Sequence, residues 1–94
     1  MSRPKKCRCV GCNPNVYYFK PRGIPLVHLE EVSVRLDELE AIRLADYEGL
    51  YHEDAARTMK ISRATFGRIL DGARHTVAEA IIKGKALKIE TDNQ

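Results

Sequence analysis

HEDAARTMKISRATFGRIL, residues 52–70, is the stretch on which the fold turns. Glu53 and Asp54 stand where the positive end of a helix favours acidic side chains, and Ala55, Ala56 and Met59 make a small apolar face behind them. A helix is therefore predicted over 52–59. Lys60-Ile61 leaves room for no more than a tight turn, and Ser62 then offers a hydroxyl to a backbone N–H, as a helix N-cap does. Phe66, Ile69, Leu70, Ala73, Val77, Ala80 and Ile81 recur at steps of three and four. That row predicts a long helix over 63–83, stopped at Gly84, where a left-handed cap is wanted.

Two helices that cross steeply over a short turn need a small residue at the crossing and an apolar plug in the turn. Ala56 and Ile61 meet those needs. Lys60 occupies the place where such a turn usually carries glycine; a left-handed non-glycine residue costs roughly 1 kcal/mol, and in exchange an ammonium would stand near a nucleic-acid backbone. The face opposite Phe66, Ile69 and Leu70 carries Arg63, Ala64, Gly67, Arg68 and Asp71, with Thr65 beside it. Long-armed and small residues at the start of such a helix suit entry into a major groove. Ser62 and Lys60 are the expected phosphate contacts, Arg63, Thr65 and Arg68 the candidates for base edges, and Arg74 a backbone contact. The plain alternative is a helical hairpin that serves folding or dimerisation alone.

Outward from this core, Val32, Val34 and Leu36 alternate with polar residues and predict a strand over 32–36. Asp37 and Glu40 resemble a capping box, and Leu39, Ile42 and Ala45, widened by Ala41 and Leu44, predict a helix over 38–48 that ends at Glu48-Gly49. Leu87 and Ile89 alternate with Lys88 and Glu90, a second strand over 86–90. The two strands could pair within one chain or swap between chains. Residues 16–29, broken by Pro21, Gly23 and Pro25, read as extended chain with room for one short strand. The expected fold is mainly α: a three-helix core with a long third helix and short flanking strands. A basic arm over 1–23 precedes a single domain over 24–94.

Leu36-Asp37-Glu38-Leu39-Glu40-Ala41-Ile42-Arg43-Leu44, Glu48-Gly49-Leu50, Ile61-Ser62-Arg63-Ala64-Thr65-Phe66 and Ala73-Arg74 resemble the promoter-binding region 4 of sigma-70-type factors. The whole chain is more similar still to the DUF134, or UPF0251, family of small prokaryotic predicted DNA-binding proteins. That likeness includes the opening Arg3-Pro4-Lys5-Lys6-Cys7-Arg8, then Tyr18-Phe19-Lys20-Pro21 with Gly23, and the late Gly84-Lys85-Ala86-Leu87. The resemblance implies a helix–turn–helix like that of sigma region 4, with no established enzyme activity or target. Lys60 departs from the usual glycine of the motif.

The chain has 94 residues, the size of one small domain, and a formal net charge of +3. That charge is unevenly spread. Residues 1–23 hold six basic and no acidic residues, residues 24–61 four basic and nine acidic, and residues 62–94 six basic and four acidic. The two basic blocks are the arm and the long helix with its tail. Arg3, Lys5, Lys6 and Arg8 would track a phosphate strand or enter a minor groove; the alternative is a solvated tail. No apolar run approaches the ~20 residues of a membrane span, and the charged start lacks the apolar segment of a secretory signal, so a cytoplasmic protein is expected. Glu30-Glu31, Asp37-Glu38-Glu40 and Glu53-Asp54 read as caps and solvated faces, so an enzyme is not expected.

Cys7, Cys9 and Cys12 form C-x-C-x-x-C within the basic arm. Three thiols so close can hold one soft metal ion, and zinc or an iron–sulfur cluster would want a fourth ligand, for which His28 is the nearest imidazole in sequence. A turn of free thiols and a Cys9–Cys12 disulfide are the alternatives. His52 and His75 are expected as exposed polar residues. Val77, Ala80, Ile81 and Ile82 give the long helix more apolar surface than one small core needs, which predicts a homodimer. The expected function is sequence-specific binding of double-stranded DNA by a transcriptional regulator. Its rivals are a metal- or redox-responsive DNA-binding sensor, a sigma-like module whose main partner is RNA polymerase, and an RNA-binding protein.

Overall fold

The computed structural model describes residue 11 and residues 16–90. Strand β1 (Tyr18–Phe19) is followed by a one-turn 3-10 helix at Leu26–His28 and by β2 (Glu31–Arg35). Helix α1 (Leu36–Ile42) runs on into a π-helical turn at Arg43–Tyr47; α2 (His52–Met59), α3 (Arg63–Lys83) and β3 (Ala86–Glu90) complete the chain. The architecture is mainly helical, with three helices and a small three-stranded mixed sheet.

The sheet has the order β1-β3-β2, so the strand that comes last in sequence lies in the middle. β3 pairs antiparallel with β1, Tyr18 opposite Lys88, and parallel with β2, Val34 opposite Ile89. The two longer strands thus pair within one chain. The parallel pairing needs a crossover, and the helical core supplies it. Val34 and Ile89 are buried on the helix-facing side. Gly84, left-handed at φ 68°, stops α3, and the chain then turns at Lys85, whose ammonium donates to Glu79 at 2.6 Å and lies 3.2 Å from Glu30.

The main core is made by the helices. Ala41, Leu44, Ala55, Ala56, Met59, Phe66, Ile69 and Leu70 form one buried cluster, flanked by the half-buried Ile42, Ala45, Leu50 and Ile61. The expected helices over 52–59 and 63–83 are found at those bounds. The first helix differs. It begins at Leu36, not after Asp37, and its capping carboxylate is Glu38, whose Oε1 accepts from the Arg35 N–H at 2.9 Å. β2 runs straight into α1 without a linker, so the last strand residue becomes the N-cap. Asp37 instead faces the Arg35 guanidinium at 3.3 Å. The end of the expected helix is also altered. From Arg43 the turn widens, and the Glu48 N–H reaches back five residues to the Arg43 carbonyl at 2.8 Å. Gly49 at φ 78° then reverses the chain.

Candidate nucleic-acid interface

The turn between α2 and α3 is built as the spacing requires. Lys60 is left-handed, φ 60° and ψ 43°, and among the described residues it is the one non-glycine residue with positive φ. The Ile61 N–H donates to the Ala56 carbonyl at 3.0 Å and the Lys60 N–H to that of Arg57 at 3.1 Å. This pair of bonds is a Schellman cap, and Ile61 supplies the apolar contact that accompanies one. Ala55 and Ala56 are buried where the helices meet. Lys60 itself is exposed.

Ser62 opens α3. Its Oγ accepts from the Thr65 N–H at 3.1 Å and donates to Thr65 Oγ1 at 2.9 Å. The Arg68 guanidinium donates to the same Thr65 oxygen at 3.3 Å. Ser62, Thr65 and Arg68 therefore form one hydrogen-bonded chain along the first two turns, with Thr65 half-buried and Arg68 exposed. The first N–H groups of a helix, here those of Arg63 and Ala64, lack intrahelical acceptors. Arg63 is exposed and borders a shallow, open depression lined also by Leu50, Tyr51, His52 and Glu53, at the N-terminus of α2. Lys60, Ser62, Arg63, Thr65 and Arg68 are thus gathered at the turn and the first two turns of α3, all exposed but the half-buried Thr65.

Arg74 is placed differently. Its Nη2 and Nε donate to the two oxygens of Asp46 at 2.6 and 3.1 Å, which ties the middle of α3 to the π-helical turn. Those hydrogen bonds hold the Asp46 carboxyl below the usual carboxylate range and raise the Arg74 guanidinium above its own. His52 departs from expectation. It is half-buried, and its ring meets Phe66 edge-on with centroids 5.4 Å apart, so it is a packing residue; His75 is exposed as expected.

One buried interaction joins residues far apart in sequence. The Glu40 side chain is only 1% exposed. Its oxygens accept from Arg43 Nε and Nη2 at 2.8 and 2.9 Å, and Oε2 also accepts from the Gly11 N–H at 2.9 Å. Arg43 reaches on to Glu48 at 3.2 Å. The Glu-x-x-Arg spacing was visible, but nothing local signals that the pair is buried or that residue 11 docks on it. Arg3, Lys5, Lys6, Arg8, Cys7, Cys9 and Cys12 lie outside the described residues. His28, the imidazole expected to join the cysteines, sits exposed on the 3-10 turn. Among the described residues no three His, Cys, Asp or Glu side chains gather as metal ligands.

A family model described as "Protein of unknown function DUF134" matches residues 1–93. The chain belongs to the DUF134 family. A UPF0251 protein of Desulfosudis oleivorans is 57% identical over 93 residues, which are 99% of this chain and 67% of that protein. UPF0251 proteins of Thermoanaerobacter pseudethanolicus and Caldanaerobacter subterraneus are 53% and 55% identical over 93 residues, 99% of this chain and 79% of each relative. No solved structure matches. Among the described residues no helix of this DUF134 chain is long and apolar enough to cross a membrane.

Proposed function

We propose that this chain binds double-stranded DNA sequence-specifically through α2, the Lys60 turn and α3, and that it acts as a transcriptional regulator rather than an enzyme. One observation carries the reading. Two packed helices, joined by a left-handed lysine and a serine cap, present exposed Arg63 and Arg68 on the first two turns of the second. Lys60 and the N-terminus of α3 hold phosphates, and Arg63 and Arg68 reach base edges, with arginine preferring guanine. Thr65, whose oxygen already receives Ser62 and Arg68, contributes by orienting Arg68 as much as by touching a base. Arg74, committed to Asp46, would have to exchange that partner to meet a phosphate.

The reading includes a homodimer. Ile81 and Ile82 are 73% and 77% exposed at the far end of α3, apolar surface that one chain leaves in solvent. A two-fold dimer would set two reading helices on half-sites about one DNA turn apart. Selection of bound duplexes from a random pool tests the function. Enrichment of a repeated short motif is the expected result; a pool that stays random while the protein still binds would leave a non-specific polyanion binder and end the reading.

A further inference from the structure

Gly67 lies inside α3, in ordinary helical conformation, one turn after Arg63 and next to Arg68. A glycine in a helix interior destabilises it relative to alanine, because the chain loses more freedom on ordering. Such a residue normally answers to a backbone angle or to a crowded neighbour. Neither applies here. Its φ is not positive, and a β-carbon at residue 67 would meet nothing within 4 Å. The fold therefore gains nothing from this glycine.

Its position supplies the missing reason. Gly67 shares a helix row with Arg63, four residues before it, and Arg63 borders the depression at the N-terminus of α2. On its other flank stands Arg68, held by Thr65. We propose that Gly67 is a clearance residue for duplex DNA: the backbone of α3 approaches the groove so closely that a β-carbon at this point collides with the nucleic acid. The inference rests on the DNA-binding reading above and adds to it a determinant that makes no hydrogen bond and carries no charge. The same helix contains its own control. Gly72, five residues on and about 140° around the axis, stands one turn beyond Arg68 but against α1, where a β-carbon would lie 3.5 Å from Glu38 Oε2, an ordinary contact.

The test compares wild type, Gly67→Ala and Gly72→Ala by thermal melting and by binding to the duplex selected from a random pool. For Gly67→Ala the two readouts should move in opposite directions. The melting temperature rises by about 2–8 °C, and affinity for the selected duplex falls by at least about fivefold. Gly72→Ala should leave affinity unchanged. A Gly67→Ala protein that melts lower than wild type, or binds as tightly, overturns the inference while leaving the DNA reading intact. Equal loss of affinity in both variants overturns it as well. A wild-type protein that binds no duplex overturns both.

Discussion

The first and second halves of α3 bury one continuous stripe but show solvent two different surfaces. Up to Ala73 the buried side is large and packs against α1 and α2 through Phe66, Ile69 and Leu70, while the exposed side chains are Arg63, Ala64, Arg68 and Asp71. Beyond Arg74 the buried residue is the small Ala80, and the outer side carries Ile81 and Ile82. A single periodic pattern therefore built one helix with two kinds of exposed surface. The first half opens on a capped turn and exposes arginines. The second exposes apolar area. Arg74 and Asp46 clasp the helix to the core where one character gives way to the other.

The first half of α3 depends most heavily on Phe66. Phe66→Ala should cost about 3–5 kcal/mol in a urea melt, because it empties the core under the first half and removes the ring that His52 packs against. Arg68→Ala should leave the melt unchanged and weaken binding to a selected duplex by about 1–3 kcal/mol, with relaxed preference at one position. Equal weakening on selected and random DNA would assign Arg68 to the backbone. Lys60→Gly should stabilise the fold by roughly 1 kcal/mol by relieving the left-handed lysine. The same change should lower affinity alike for all sequences and make its salt dependence shallower by about one phosphate.

The second half is tested by charge. Ile81→Lys with Ile82→Lys should change the stability of the single chain by no more than about 0.5 kcal/mol, since both side chains are exposed there, yet shift sedimentation from dimer to monomer. A wild-type monomer at micromolar concentration would remove the dimer. The smallest effect belongs to the clasp. The folded Asp46 titrates below its ordinary value of 3.8, so its stabilisation is present above that value and is lost as pH falls through the folded one. Both partners are exposed, so the gain is at most about 1 kcal/mol. Asp46→Asn should lower the melting temperature slightly at neutral pH, and the difference from wild type should vanish in acid.

Legibility followed the range of the physics. The Lys60 turn, the Ser62 cap and the Gly84 stop depend on residues within one helical turn, and all three were readable as written. The start of α1 is ambiguous in sequence because two carboxylates, Glu38 and Glu40, stand at capping distance from plausible caps, and the structure starts the helix two residues earlier than the second of them implies. The direct join to β2 decides between them, and that join is set by the sheet. Glu40 was thereby freed for a buried role that involves Gly11, 29 residues away, which no local pattern encodes. The packing of His52 is hidden for the same reason: its partner, Phe66, comes from another element, as does the Asp46 that pairs with Arg74.

The central place of β3 has a consequence for how the chain is made. Proteins emerge from the ribosome with their N-terminal parts first. β1 and β2 both precede the helices, yet in the described sheet each pairs with β3 and not with the other. Until residues 86–90 appear, their backbone N–H and C=O groups have only water to bond. The helices, whose main core is complete by Leu70, face no such delay. The order of synthesis therefore favours a helical core that assembles first and a sheet that closes behind it.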